Sequence, residues 1–205
     1  MKTAYFLRGL PASGKTTWAK KKLAALNKDG NRRAVRVNKD EIRERLVAKG
    51  FASEGKVIKR ETELVTKAMK SGLAVIIDNT HFNPIHEWRY RDLAEEHGYT
   101  FQIVSFTDIS FDECIRRDQK RRKWVGQDVI VRMDEYRASL TRSAVAELRK
   151  KWALKKAAAA KRLAAREKSI VKKAAVGKAV AKKMVGRADQ TAKPIPAKKT
   201  GKRAR

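Results

Sequence analysis

The residues at 9–16, G-L-P-A-S-G-K-T, have the types and spacing to grip a chain of phosphates. Gly9 and Gly14 let the backbone curl so that successive N–H groups converge on anionic oxygens. A helix opening at Lys15 would aim its positive end at the same place. Lys15 would reach the terminal phosphates, and the Thr16 hydroxyl would ligate Mg²⁺. Pro11, Ala12, Ser13 and Thr17 complete the nucleotide-binding segment, with ATP as the expected ligand. In a random chain of this length the G-x-x-x-x-G-K-[S/T] spacing arises about one time in a hundred. A strand before it and a helix after it make chance poorer still.

A triphosphate site can serve a switch, a motor or a phosphotransferase. The chain, at 205 residues, is short for a motor. The guanine-reading N-K-x-D is absent, because N-K-D at 38–40 lacks its spacer. A phosphotransferase needs an acceptor and a carboxylate to take its proton. Asp40 sits just past a strand-like run, where ligands bind in a parallel sheet, and it is equally placed to be a plain helix N-cap. Arg43 lies three residues on, near the same helical face, to hold an anionic acceptor or to pair with Asp40. Asp78 closes an apolar run, the usual place for a carboxylate in the Mg²⁺ shell. The run R-R-D-Q-K-R-R-K at 116–123 reads as a solvated basic face or as a lid. Arg117 and Arg121, four apart, are the candidates to close over the triphosphate. Trp124 would stack on a base or pack the lid, while Trp18 belongs to the core. His81 and His86 lack a third ligand, which argues against a metal there.

These groups need a scaffold. Strand-like runs at 4–7, 34–38, 73–78 and 100–106 alternate with helical ones at 15–26, 40–48, 55–70 and 84–97. Asn83 before Pro84 reads as an N-cap with proline at the first helical position. The alternation predicts an α/β fold, a short parallel sheet with helices on both faces in three layers. Two further helices are expected at 111–123 and 127–148. Beyond residue 150 Ala, Lys, Arg and Val dominate, too poor in large apolar groups for a core. The expected organisation is therefore a domain over 1–150 and a basic tail over 151–205, disordered or helical on binding.

The tail carries 19 Lys and Arg against 2 acidic residues, a net +17 of the chain's +29. Such a segment repels itself and seeks a polyanion, nucleic acid first and an anionic membrane second. The single cysteine, Cys114, precludes an intramolecular disulfide and suits a reducing cytoplasm, with a packing role. No signal-peptide pattern and no run of about 20 apolar residues is present.

Residues 3–140 resemble the kinase domain of bacteriophage-type polynucleotide 5′-hydroxyl kinases. Three segments carry the resemblance: G-L-P-A-S-G-K-T-T-W-A, V-N-K-D-E-I-R, and R-D-Q-K-R followed by V-G-Q-D-V-I. It implies Asp40 as general base on the 5′-hydroxyl and Arg43 on the acceptor strand's phosphate. It also implies Lys15 and Arg121 on the transferred phosphate, Arg117 over the nucleotide, and Val125 and Val129 against the adenine. The family's strand-three acid stands directly before the equivalent of Thr80, where this chain has Asn79 and places Asp78 one residue earlier. Either the strand end bends or Asn79 takes a weaker hydrogen-bonding role, with 78–80 assigned to the acceptor side. The D-x-D-x-T motif of a 3′-phosphatase is missing, so kinase activity alone is implied.

The implied reaction is ATP + 5′-hydroxyl polynucleotide → ADP + 5′-phosphoryl polynucleotide, end healing with a ligase as functional partner, in the cytoplasm (the host's, if the chain is viral). A small-molecule kinase, or a nucleic-acid-binding protein with a passive nucleotide site, is the competing reading. Lys and Arg of the tail would release counterions from phosphates and tether the domain near ends. Deleting 151–205 should raise KM for long duplex ends more than for a short oligonucleotide and leave ATP binding intact. Equal KM changes for the two would discredit tethering.

Overall fold

The computed structural model describes residues 2–50 and 53–189. The chain runs β1 (Thr3–Arg8), α1 (Lys15–Leu26), β2 (Ala34–Val37), α2 (Lys39–Val47), α3 (Glu54–Lys70), β3 (Ala74–Ile77), α4 (Pro84–Glu96), β4 (Thr100–Ser105), α5 (Phe111–Gln119), α6 (Gln127–Ser139) and α7 (Arg142–Asp189). The four strands form one parallel sheet in the order β2-β3-β1-β4. The expected three-layer α/β architecture is present.

Strand alternation sorts the core into two faces. Ala4 and Phe6 of β1, with Val75 and Ile77 of β3, pack against Val57, Val65 and Met69 of α3 and Tyr90 and Ala94 of α4. Leu7 and Ile76 turn the other way, onto Ala19, Trp18 and Leu23 of α1. β3 lies between two strands and two helical layers, and all four of its residues are buried. That environment explains its unbroken A-V-I-I sequence. A smaller cluster of Leu10, Phe82, Cys114 and Ile130 seats α5 and α6 beside the phosphate loop. Cys114 is buried and unpaired, as its apolar setting implied.

Two helices differ from the sequence expectation. The helix expected over 111–123 stops at Gln119, because Asp118 turns back and accepts the N–H groups of Val125 (2.8 Å) and Gly126 (2.9 Å). The helix expected over 127–148 is two helices. Leu140 (φ −77°, ψ 63°) leaves the helical region and packs on the Leu10–Ile130 cluster. Thr141 then restarts the chain as a cap, its hydroxyl accepting from Ala144 N–H at 3.3 Å.

The chain divides into units Met1–Lys150 and Lys151–Arg205. In the second unit the described chain is helical to Asp189, and side chains at 153–170 are exposed. The remainder of the expected basic tail, 190–205, lies outside the described residues. Among the described residues no helix is long and apolar enough to cross a membrane.

One ion pair ties the sheet together at its carboxyl edge. Asp78, 1% exposed at the end of β3, accepts from Arg36 Nε of β2 at 2.7 Å and from the Thr16 hydroxyl of α1 at 3.4 Å. Removing one partner of a buried pair strands the other charge. Arg36→Met should therefore lower the unfolding free energy by about 3 kcal/mol. The measurement is the urea midpoint, which should fall at unchanged slope. A midpoint equal to the parent's would mean that Asp78 does not depend on Arg36.

Candidate active site

The phosphate loop joins β1 to α1, and its shape follows from three residues. A Cβ on Gly9 would meet Ser13 Oγ at 2.7 Å and Phe106 Cβ at 2.9 Å, so only glycine lets the loop leave the sheet here. Gly14 (φ 99°) turns the chain into α1. Ala12 holds φ 61°, a left-handed conformation rare for a residue with a Cβ. Strain of that kind clusters at ligand-binding loops.

Lys15 is 7% exposed, and its ammonium donates to the carbonyls of Gly9 (2.9 Å) and Leu10 (2.5 Å) and to Ser13 Oγ (3.3 Å). Burial pushes its pKa down to about 8 against the opposing pull of Asp78. An arriving polyanion would reverse that cost, since a negative charge favours the protonated amine. Thr16 and Asp78 stand together as a hydroxyl and a carboxylate, a hard-oxygen pair that fits Mg²⁺.

Beside the loop two cavities open. The smaller, about 260 Å³, is lined by Ala12, Gly14, Lys15, Thr16, Thr17, Arg117 and Arg121. The larger, about 610 Å³, shares Ala12, Lys15, Thr16 and Arg121 with it and adds Pro11, Asp40, Arg43, Asp78, Asn79 and Thr80. The nucleotide-gripping and acceptor-side residues read from the sequence are thus brought to one crevice. Gly9 and Ser13 lie behind it, shaping the loop. Val125 and Val129 line the larger cavity with Asp40 and not the smaller one with Arg117, and Met133 and Tyr136 of α6 continue that wall.

The start of α2 removes the plain-cap reading of Asp40. Asn38, not Asp40, is the N-cap, its side chain accepting from Glu41 N–H at 3.1 Å. Asp40 is left in the first turn with a side chain 80% exposed, paired to Arg43 Nη1 at 2.5 Å. Arg43 is shared with Glu54 of α3 at 3.0 Å. Asp78 and Asn79 point to different partners, as neighbours at a strand end do. Asp78 meets Thr16 and Arg36, whereas Asn79 Oδ1 accepts from Lys39 N–H (2.8 Å) and Asn79 Nδ2 donates to Glu61 (2.5 Å).

In the basic run at 116–123, Arg117 donates to Glu113 (2.6 Å) and Arg121 to Asp118 (3.2 Å). The hydrogen bonds from Arg116 and Arg117 pull the Glu113 carboxyl down to about 2. Asp118 is 2% exposed, and its three hydrogen bonds set both Arg121 and the loop before α6. Reading 116–123 as a cationic run passed over it. A lone acid three residues before the lid arginine was the available signal. Trp124 is 71% exposed and buries little of itself in the lid. His81 is buried and stacked on Phe6 at 4.1 Å, its pKa held well below the usual value by burial and then by Lys39. Among the described residues no cluster of His, Cys, Asp and Glu suited to a metal ion is present.

Comparison with solved structures finds similarity to the Mycobacterium tuberculosis APS kinase CysC in complex with AMPPNP and APS. Identity is 24%, over 58% of this chain and 69% of that one, with a TM-score of 0.49. APE1195 is similar at 27% identity over 58% of this chain and 67% of that one, TM-score 0.47. A chain of the Pnkp1/Rnl/Hen1 RNA repair complex matches at 22% identity over 68% of this chain and 46% of that one, TM-score 0.49. All three TM-scores lie under 0.5. The family model is more decisive, since the AAA domain model matches residues 5–142, well over half of the sequence. With that stretch covering the phosphate loop, the four strands and helices α1 to α6, the chain belongs to the AAA domain family.

Proposed function

We propose that the protein is a phosphotransferase that moves the γ-phosphoryl group of ATP to the 5′-hydroxyl end of DNA or RNA, healing ends for a ligase. The observation that carries this reading is that Asp40 and Arg43 line the same 610 Å³ cavity as Lys15, Thr16 and Arg121. A base, an anion clamp and a phosphate grip therefore face one space.

The chemistry follows from those positions. The acceptor hydroxyl oxygen bonds to the γ-phosphorus as the bond to the β–γ bridging oxygen breaks, and ADP leaves. Asp40 takes the hydroxyl proton, which becomes acidic as the new bond forms. Arg43 presents a planar fork of donors to a phosphate of the acceptor strand. Lys15 and Arg121 face the charge carried by the transferred group. Bound at Thr16 and Asp78, Mg²⁺ would neutralise charge on the phosphate oxygens. The wall of Val125, Val129, Met133 and Tyr136 offers apolar surface for a base, beside groups suited to phosphate.

The basic tail supports a polyanionic acceptor over a small alcohol. Its Lys and Arg would hold the phosphate backbone without regard to sequence and in a salt-sensitive way. The reaction would run where ATP is plentiful, in the cytoplasm.

The test is γ-labelled ATP offered with 5′-hydroxyl DNA, 5′-hydroxyl RNA and a panel of small alcohols. Label should appear on oligonucleotide. Asp40→Asn should lower kcat by about 100-fold or more with the KM for ATP little changed. Label only on a small alcohol would remove the polynucleotide assignment, and no transfer at all would remove the enzyme.

A further inference from the structure

Glu61 lies in the middle of α3 and is fully buried, at 0% exposure. A carboxylate there is costly, and an apolar residue of similar size would serve packing better. Its surroundings state what it does instead. Glu61 Oε1 accepts from Asn79 Nδ2 at 2.5 Å, while Oε2 lies 3.7 Å from Lys39 Nζ and 3.6 Å from Arg89 Nη2. The other end of the same Asn79 amide accepts the N–H of Lys39 at 2.8 Å. Lys39 opens α2 and directly precedes Asp40.

An ionised carboxylate has no proton to donate. Facing Glu61, the Asn79 amide must turn its NH₂ inward, which leaves its oxygen for Lys39. That oxygen satisfies one of the N–H groups that the first turn of a helix leaves without an intrahelical partner. Asn38 satisfies Glu41 N–H, and its Nδ2 donates to the Asp78 carbonyl at 2.5 Å. The first turn of α2 is thus clipped to the end of β3 by two asparagines, one of them oriented from beneath by Glu61.

We infer that Glu61 is a positioning residue for Asp40, acting through Asn79 and the backbone of Lys39. The inference rests on the reading of Asp40 as the base. Glutamine at 61 keeps the volume but can donate, so the Asn79 amide loses the shorter of the two contacts that hold its NH₂, keeping only His81 Nε2 at 3.3 Å. Turned over, it sets an NH₂ against the Lys39 N–H, and the first turn loses one of its two ties to β3, keeping that of Asn38. Glu61 lines neither cavity itself and reaches the larger one only through Asn79 and Lys39, away from the phosphate loop, so nucleotide binding should change little.

The experiment compares the full-length parent, E61Q, E61D, D40N and the E61Q/D40N double variant, with γ-labelled ATP and a 5′-hydroxyl oligonucleotide. In E61Q kcat should fall roughly 10–100-fold, the size of loss a reacting group displaced by about an ångström produces. The KM for ATP should stay within about twofold, because the phosphate loop is untouched. E61D, which still only accepts, should recover part of the rate. In the D40N background E61Q should cost nothing further, since there is no base left to position. Parent-like kcat in E61Q beside a collapsed D40N would overturn the role of Glu61 and leave Asp40 standing. An equal loss from E61Q in the D40N background would reassign Glu61 to general structure. Parent-like activity in D40N would instead sink the reading of Asp40, and this inference with it. Should E61Q fail to show the rise in Tm that ATP gives the parent, Asn79→Ala cuts the same link from the cavity side and is judged by the same outcomes.

Discussion

The working edge of this domain depends on one buried carboxylate. Asp78 ends β3, the strand that pairs with both β1 and β2, and its two oxygens are divided between Thr16 and Arg36. Thr16 belongs to the helix that follows β1, and Arg36 to the strand that leads into Asp40. One side chain therefore ties the helix after the phosphate loop to the strand that precedes Asp40. Parallel strands make this economical, since all of their carboxyl ends meet along a single edge. A shift of β3 by one residue would loosen both halves together.

Around that junction the polar groups are arranged in tiers. Asn38 and Asn79 hold the first turn of α2, and Asp118 holds the lid loop through two backbone N–H groups. None of these residues carries charge to the cavity as Lys15 or Arg121 does. Each settles where a neighbour's backbone lies, which is how a site on strand ends and loops keeps geometry tight enough for chemistry.

Much of the frame was legible in the sequence because its signals are local. The phosphate loop, the helix at Lys15–Leu26 and the apolar β3 are each written in consecutive residues. The break at Leu140 was hidden because leucine continues the apolar periodicity, and only its backbone angles depart from the helix. The choice between a bent strand and a substituted Asn79 stayed open for a similar reason. Asp78 and Asn79 are both used, Asp78 toward α1 and β2 and Asn79 toward α2 and α3, and apart from His81 these partners lie from 18 to 62 positions away along the chain. Glu61 was invisible on the same ground, being one more acid in a charged helix until α3 folds over β3.

The arginines facing the crevice are already spoken for: Arg43 by Asp40 and Glu54, Arg117 by Glu113, Arg121 by Asp118. An incoming phosphate does not meet bare cations. Where it draws on one of these arginines it competes with the carboxylate already there, so its hold is weakened by the ion pair it disturbs. A single-charged ion such as chloride competes poorly in that exchange, whereas a polyphosphate, offering several oxygens at once, competes better. The acids that seem to blunt this surface thereby act as its filter.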